Sequence, residues 1–276
     1  MSDSKNVLQT VVDSQVQFLT KGAHRAPLQN YPSDAGLEYE KVWFPAVGGV
    51  MLEGWWIPRP SATRVILCNH PMTFNKGGYP GSKPGFDAFG LIDVNFIPDY
   101  ADLHKAGYAV LAYERRTHGL SYSNWGETST VGAHESRDVA GAMRFLSTWG
   151  PTRDLEVALD LRCMGAKSGI AAFKNFPQDM APARAFVALQ PVSAGAFVAR
   201  AAEGAGVDLA KALQEFDKGV WAAIVLRAGD LFPQSSAAQV KIPTLVAQVK
   251  GDMFADAPKD TQEIFDGLGA SEKKLY

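Results

Sequence analysis

The chain has 276 residues, 46 % of them hydrophobic and 20 % charged, enough to bury the core of one large α/β domain or two small ones. A formal net charge of −2 gives no electrostatic footprint for nucleic acid or an anionic membrane, so neither is expected as a partner. Two cysteines exclude a disulfide framework. With no basic N-terminal segment leading into an apolar run, the expected location is the cytoplasm. No stretch approaches the 18 uninterrupted apolar residues that a membrane span needs.

Residues 5–20 carry Val7, Leu8, Val11, Val12, Val16, Phe18 and Leu19, a spacing that predicts an amphipathic helix. The segment 37–58 reads as two strands turning at Gly48-Gly49. Trp55 and Trp56 are adjacent on the second, so they face opposite sides of a sheet and pack there. "TRVILCNH" (63–70) is a short β-branched run, a buried strand with Cys68 in the core. The Gly- and Pro-rich stretch 74–96 is long for a connection and marks a functional loop.

A helix over about 97–106 leads into a buried strand at 107–114. The spacing of Val139, Met143, Leu146 and Trp149 predicts a helix within 131–149, stopped by Gly150-Pro151. "DLEVALDL" (154–161) is a strand, and a helix follows Cys163 to about Asn175. Strands at 183–190 and 242–249 flank a mainly helical stretch, 192–240. That stretch is too long for a plain crossover and is read as an inserted lid. A helix at 258–268 precedes the start of one more strand, "KKLY". Strand and helix alternating at this spacing predict one domain over 1–276, a mostly parallel sheet with helices on both faces.

Such a sheet presents its chemistry at the carboxyl ends of its strands. Cys163 stands at one of those ends and at the start of the next helix. The helix N-terminus, with Arg162 beside it, favours a thiolate, and its free N–H groups can bind an oxyanion. A buried structural cysteine is the competing reading.

The order of elements from about residue 35 onward resembles the α/β-hydrolase superfamily. Its nucleophile elbow reads here Leu161-Arg162-Cys163-Met164-Gly165. Gly165 matches. Leu161 stands where the family usually has glycine, and cysteine replaces the commoner serine, as in the dienelactone-hydrolase branch. After the strand at 63–70 the family carries His-Gly and then an oxyanion donor. The counterpart here is His70-Pro71-Met72; proline has no N–H, so the resemblance assigns the hole to the amides of Met72 and Met164. The turn Arg116-Thr117-His118-Gly119 matches a family turn that is mainly structural, so His118 is not expected to be catalytic.

"IPTLVAQVKGDMFADAPKD" resembles the strand and loop that carry the family's acid, which places Asp252 on that role and leaves Asp256 as competitor. The family's histidine follows the next strand, and no histidine occurs after His134. The options are a C-terminal tail beyond Tyr276, a base recruited from elsewhere, with His70 the first candidate, or a protein that is not a hydrolase.

There is no dinucleotide fingerprint, phosphate loop, Cys-x-x-Cys or zinc-spaced cluster, so no cofactor or metal is expected. The resemblance implies attack by Cys163 on an ester, lactone or thioester of a small acyl substrate. The alternatives are an acyltransferase or cyclase on the same fold, and a catalytically inactive ligand-binding protein. The sequence carries no signal of oligomeric state.

Overall fold

The computed structural model describes residues 2–21, 25–87, 90–123, 127–252 and 257–276. Helix α1 (Ser2–Thr20) precedes the hairpin β1 (Glu40–Pro45) and β2 (Met51–Ile57), whose turn contains Gly48 and Gly49 as expected. β3 (Arg64–Asn69) follows. The stretch read as a functional loop contains a small hairpin, β4 (Gly78–Pro80) with β5 (Asp93–Asn95). Strands of three residues are too short to show a period of two, which is why the sequence pattern misses them.

Next come α2 (Ile97–Lys105), β6 (Ala109–Tyr113), α3 (Ser136–Thr148), β7 (Glu156–Arg162) and α4 (Met164–Asn175). The short α5 (Pro177–Met180) leads to β8 (Ala183–Leu189). The stretch read as a helical insertion contains α6 (Ala194–Ala205), α7 (Leu209–Ile224), a 3₁₀ turn and α8 (Gln234–Ala237). β9 (Thr244–Ala247), α9 (Ala257–Gly267) and β10 (Lys273–Leu275) complete the order.

Eight strands form one sheet in the order β1-β2-β6-β3-β7-β8-β9-β10. β1–β2 and β2–β6 pair antiparallel; every pair from β6 to β10 is parallel. The buried runs of Val, Ile and Leu in β3 and β6 are what a sheet covered on both faces requires. Trp56 lies in the core on one face with Leu146 and Ile170, and Trp55 lies in the core on the other with Cys68, Phe96 and Tyr100.

A third apolar cluster sits apart from both faces. There Val12 and Leu19 of α1 meet Phe216 and Val220 of α7, Val198 of α6, and Met72 and Met164. The apolar stripe of α1 is therefore spent on the inserted helices rather than on the sheet, with Phe18 against Phe197 at 6.0 Å between ring centroids. Among the described residues no helix is long and apolar enough to cross a membrane.

Candidate active site

Register builds the site. Asn69 of β3 pairs with Tyr113 of β6 and Leu161 of β7; Arg162 pairs with Leu189 of β8, which pairs with Ala247 of β9. Five strands therefore end level, and the segments after 69, 113, 162, 189 and 247 open on one edge, where parallel sheets place ligands.

Cys163 makes the turn from β7 into α4 with φ 50° and ψ −112°. A non-glycine residue at positive φ stores strain of about 1–3 kcal/mol. It is held there by its N–H donating to Leu189 O at 2.7 Å and its carbonyl accepting from Lys167 N at 3.0 Å. Gly165 is required by close approach: a Cβ there would lie 2.8 Å from Asn69 Oδ1. Leu161, the departure from the family pattern, is accommodated by Gly169, where a Cβ would come within 2.5 Å of the leucine's Cδ1.

The backbone N–H groups of Met164 and Met72 face the half-buried Cys163 sulfur. Burial pushes the thiol above its ordinary value. Arg115, the Met164 N–H, Lys167 and the Met72 N–H pull the other way without overcoming it. Arg162, expected to favour the thiolate, is not among these groups. It ends β7, and its guanidinium bonds Asp99 at 2.8 Å and Asp160 at 3.2 Å and covers the Phe96 ring. Strand alternation aims it into the packing under α2, away from the sulfur.

The loop carrying Met72 is clamped by the turn after β6. Arg115 Nη2 donates to Pro71 O at 2.8 Å, Thr73 N–H donates to His118 Nε2 at 3.2 Å, and Lys76 N–H donates to Glu114 Oε1 at 3.2 Å. His118 therefore holds the loop in place, as expected of a structural residue.

His70 is not brought to the sulfur. Its side chain is 1 % exposed, with Nδ1 2.8 Å from Pro71 O, Nε2 3.1 Å from Glu114 Oε2, and the ring against His118. Both nitrogens are engaged, and burial lowers its affinity for a proton. It therefore works inside the network behind the loop, not as a base facing Cys163.

Asp252 shares a cavity of about 330 Å³ with Cys163. Phe18, Pro71, Met72, Phe74, Val192, Phe197 and Val249 form its mostly apolar wall, and Gln190 and Gly251 complete it. Asp252 Oδ2 accepts from Gln190 Nε2 at 3.2 Å, and its backbone oxygen accepts from Arg200 at 3.1 Å. Asp256 lies outside the described residues. Among the described residues no imidazole lines this cavity.

Three contributors were not read from the sequence: Gln190, Arg115 and Lys167. Lys167 left a signal, since it is the one charged residue in "MGAKSGIAAF" and stands one helical turn after Cys163. Arg115 and Gln190 left none, because their roles depend on pairing between distant strands.

No family model matches this chain, and no curated protein matches it in sequence. Solved structures do match. An esterase of Pyrococcus furiosus superposes with a TM-score of 0.66 at 20 % identity, covering 93 % of this chain and 87 % of that one. The α/β hydrolase GrgF of Penicillium sp. sh18 gives 0.58 at 15 %, over 87 % and 89 %. A dienelactone hydrolase of Anabaena variabilis gives 0.54 at 15 %, over 87 % and 85 %. The fold is that of the α/β hydrolases, and at these identities the likeness establishes the fold alone.

Proposed function

We propose that this α/β-hydrolase fold carries a cysteine-dependent hydrolase acting on a small ester, lactone or thioester. The observation that supports it most is the sulfur of Cys163, held on a strained corner against two convergent amides, Met72 and Met164, at the mouth of an apolar cavity.

In this reading the Cys163 thiolate attacks the acyl carbon. The carbonyl oxygen gains the negative charge and takes the place at the Met72 and Met164 N–H groups. Collapse expels the alkoxide or thiolate, which takes a proton from solvent water, and leaves an acyl-cysteine; water then cleaves the acyl–sulfur bond, releasing the acid and the Cys163 thiol. The phenylalanines and valines of the wall favour an apolar acyl group. Asp252, braced by Gln190, is the acidic member of the site. The names of the structural neighbours, an esterase and a dienelactone hydrolase, agree with acyl chemistry.

A second reading is a ligand-binding protein without turnover, because burial disfavours the thiolate form of Cys163. Short acyl esters and thioesters separate the two. The hydrolase reading requires turnover by the native protein, an acyl mass trapped on the Cys163 peptide, and loss of both in Cys163→Ala. Unchanged turnover in that variant would overturn it.

A further inference from the structure

Lys167 is 3 % exposed on the first turns of α4, and among the described residues its Nζ has no hydrogen-bond partner. Its stem runs beside Gly132, where a Cβ would lie 3.1 Å from the lysine's Cγ. A helical side chain leans toward the N-terminus of its own helix, which here is the turn that begins at Cys163. A buried ammonium with no partner is costly and persists only where an anion can compensate it.

Three groups of opposite potential charge face it: Asp260 from α9, Cys163 from the corner, and Glu135 from the segment before α3. Among the described residues neither carboxylate bonds Nζ, and each is turned to donors of its own. Asp260 accepts from Ser193 N at 2.7 Å, Ser193 Oγ at 2.5 Å and Gln234 Nε2 at 2.8 Å. Glu135 accepts from Thr130 N at 3.0 Å, Thr130 Oγ1 at 2.7 Å and Gly132 N at 2.8 Å. The anion that can still form there is a thiolate on Cys163.

We infer that Lys167 is the positioning cation of this site, the buried counter-charge that allows Cys163 to exist as a thiolate. The inference rests on the nucleophile reading above for its use, though not for its test. The thiol gives its proton to solvent water, the ammonium keeps its own, and each charge then stabilises the other. Arg115 also faces the sulfur, with the larger pull against its proton, and bonds Pro71 O through Nη2; Lys167 adds its charge to that of Arg115. The lowering of Lys167 from the ordinary 10.5 to about 8 is consistent with an ammonium waiting for its anion.

The test is the pH profile of iodoacetamide alkylation, read on the Cys163 peptide by mass spectrometry. In Lys167→Met the midpoint should move up by about one pH unit, a roughly tenfold slower reaction at neutral pH. Lys167→Arg, which keeps the charge, should restore most of the rate. A folded Lys167→Met protein with the native midpoint would overturn the inference.

A second measurement needs no variant. Carbon-13 NMR of the lysine side chains should show Lys167 losing its proton more easily once Cys163 is capped by iodoacetamide. An unmoved titration would equally overturn it. If Cys163→Ala retains turnover while Lys167→Met still shifts the alkylation midpoint, the nucleophile reading has failed and the pairing has not.

Discussion

Lys76 and Lys167 are buried to nearly the same depth, 1 % and 3 % exposed, yet they are driven in opposite directions. Lys76 lies between Glu53 and Glu114, over the Trp55 ring, and the two carboxylates raise its proton affinity despite burial. Lys167 has no carboxylate in contact among the described residues, and burial lowers it to about 8. Depth is common to both, so partners decide the outcome. The first region is a closed, compensated network behind the loop that carries Met72. The second lies beside the Cys163 sulfur and keeps one charge in reserve.

The sharpest break is Cys163→Ala, which should lower acyl turnover by about 10⁴-fold or more if the region beside Lys167 is the reacting one. Steady-state assay with a short thioester reads it.

Next in size is the contrast between the lysines themselves. Lys76→Met strands two buried carboxylates and should cost about 3–5 kcal/mol of stability, measured by urea unfolding. Lys167→Met removes an unpaired charge and should cost nothing, or stabilise. Equal losses in both variants would abolish the distinction.

pH sharpens it further. Lys167 binds its proton more weakly folded than unfolded, so the unfolded chain holds the extra proton between about 8 and 10.5. Stability from this group should rise with pH across that window by roughly 1.4 kcal/mol per unit at most, and the rise should vanish in Lys167→Met. Lys76 has the opposite sign. Its folded affinity is raised above the ordinary 10.5, so its contribution is complete below that value and is lost as pH climbs beyond it. Unfolding curves at several alkaline pH values separate the two slopes.

The smallest expected change is in Arg162→Met. Because that guanidinium is held by Asp99 and Asp160, the alkylation midpoint of Cys163 should stay within about 0.3 pH unit of the native one, where Lys167→Met moves it by about one.

Much of the fold is legible in sequence because its signals are local. Short apolar runs mark β3 and β6, alternation marks β7, a helical period marks α3, and Gly48-Gly49 marks the hairpin. Within the site, the corner at Cys163 follows from a strand end that meets a helix start, and Met72 and Met164 as candidate donors follow from the resemblance. Arg162 misled because adjacency in sequence is not adjacency in space: one step of strand alternation turns it to the other side. His70 misled for a related reason. Its strand does neighbour that of Cys163, but Pro71 O and Glu114 turn the ring inward.

By itself the sequence determined where strands end and helices begin, and thus that a thiol would stand at a carboxyl edge, since hydrophobic period and turn chemistry act over a few residues. Only the tertiary structure decided which charges surround that thiol, which face α1 covers and where His70 and His118 point. Those depend on register between segments up to a hundred residues apart, and a shift of one residue reverses the answer.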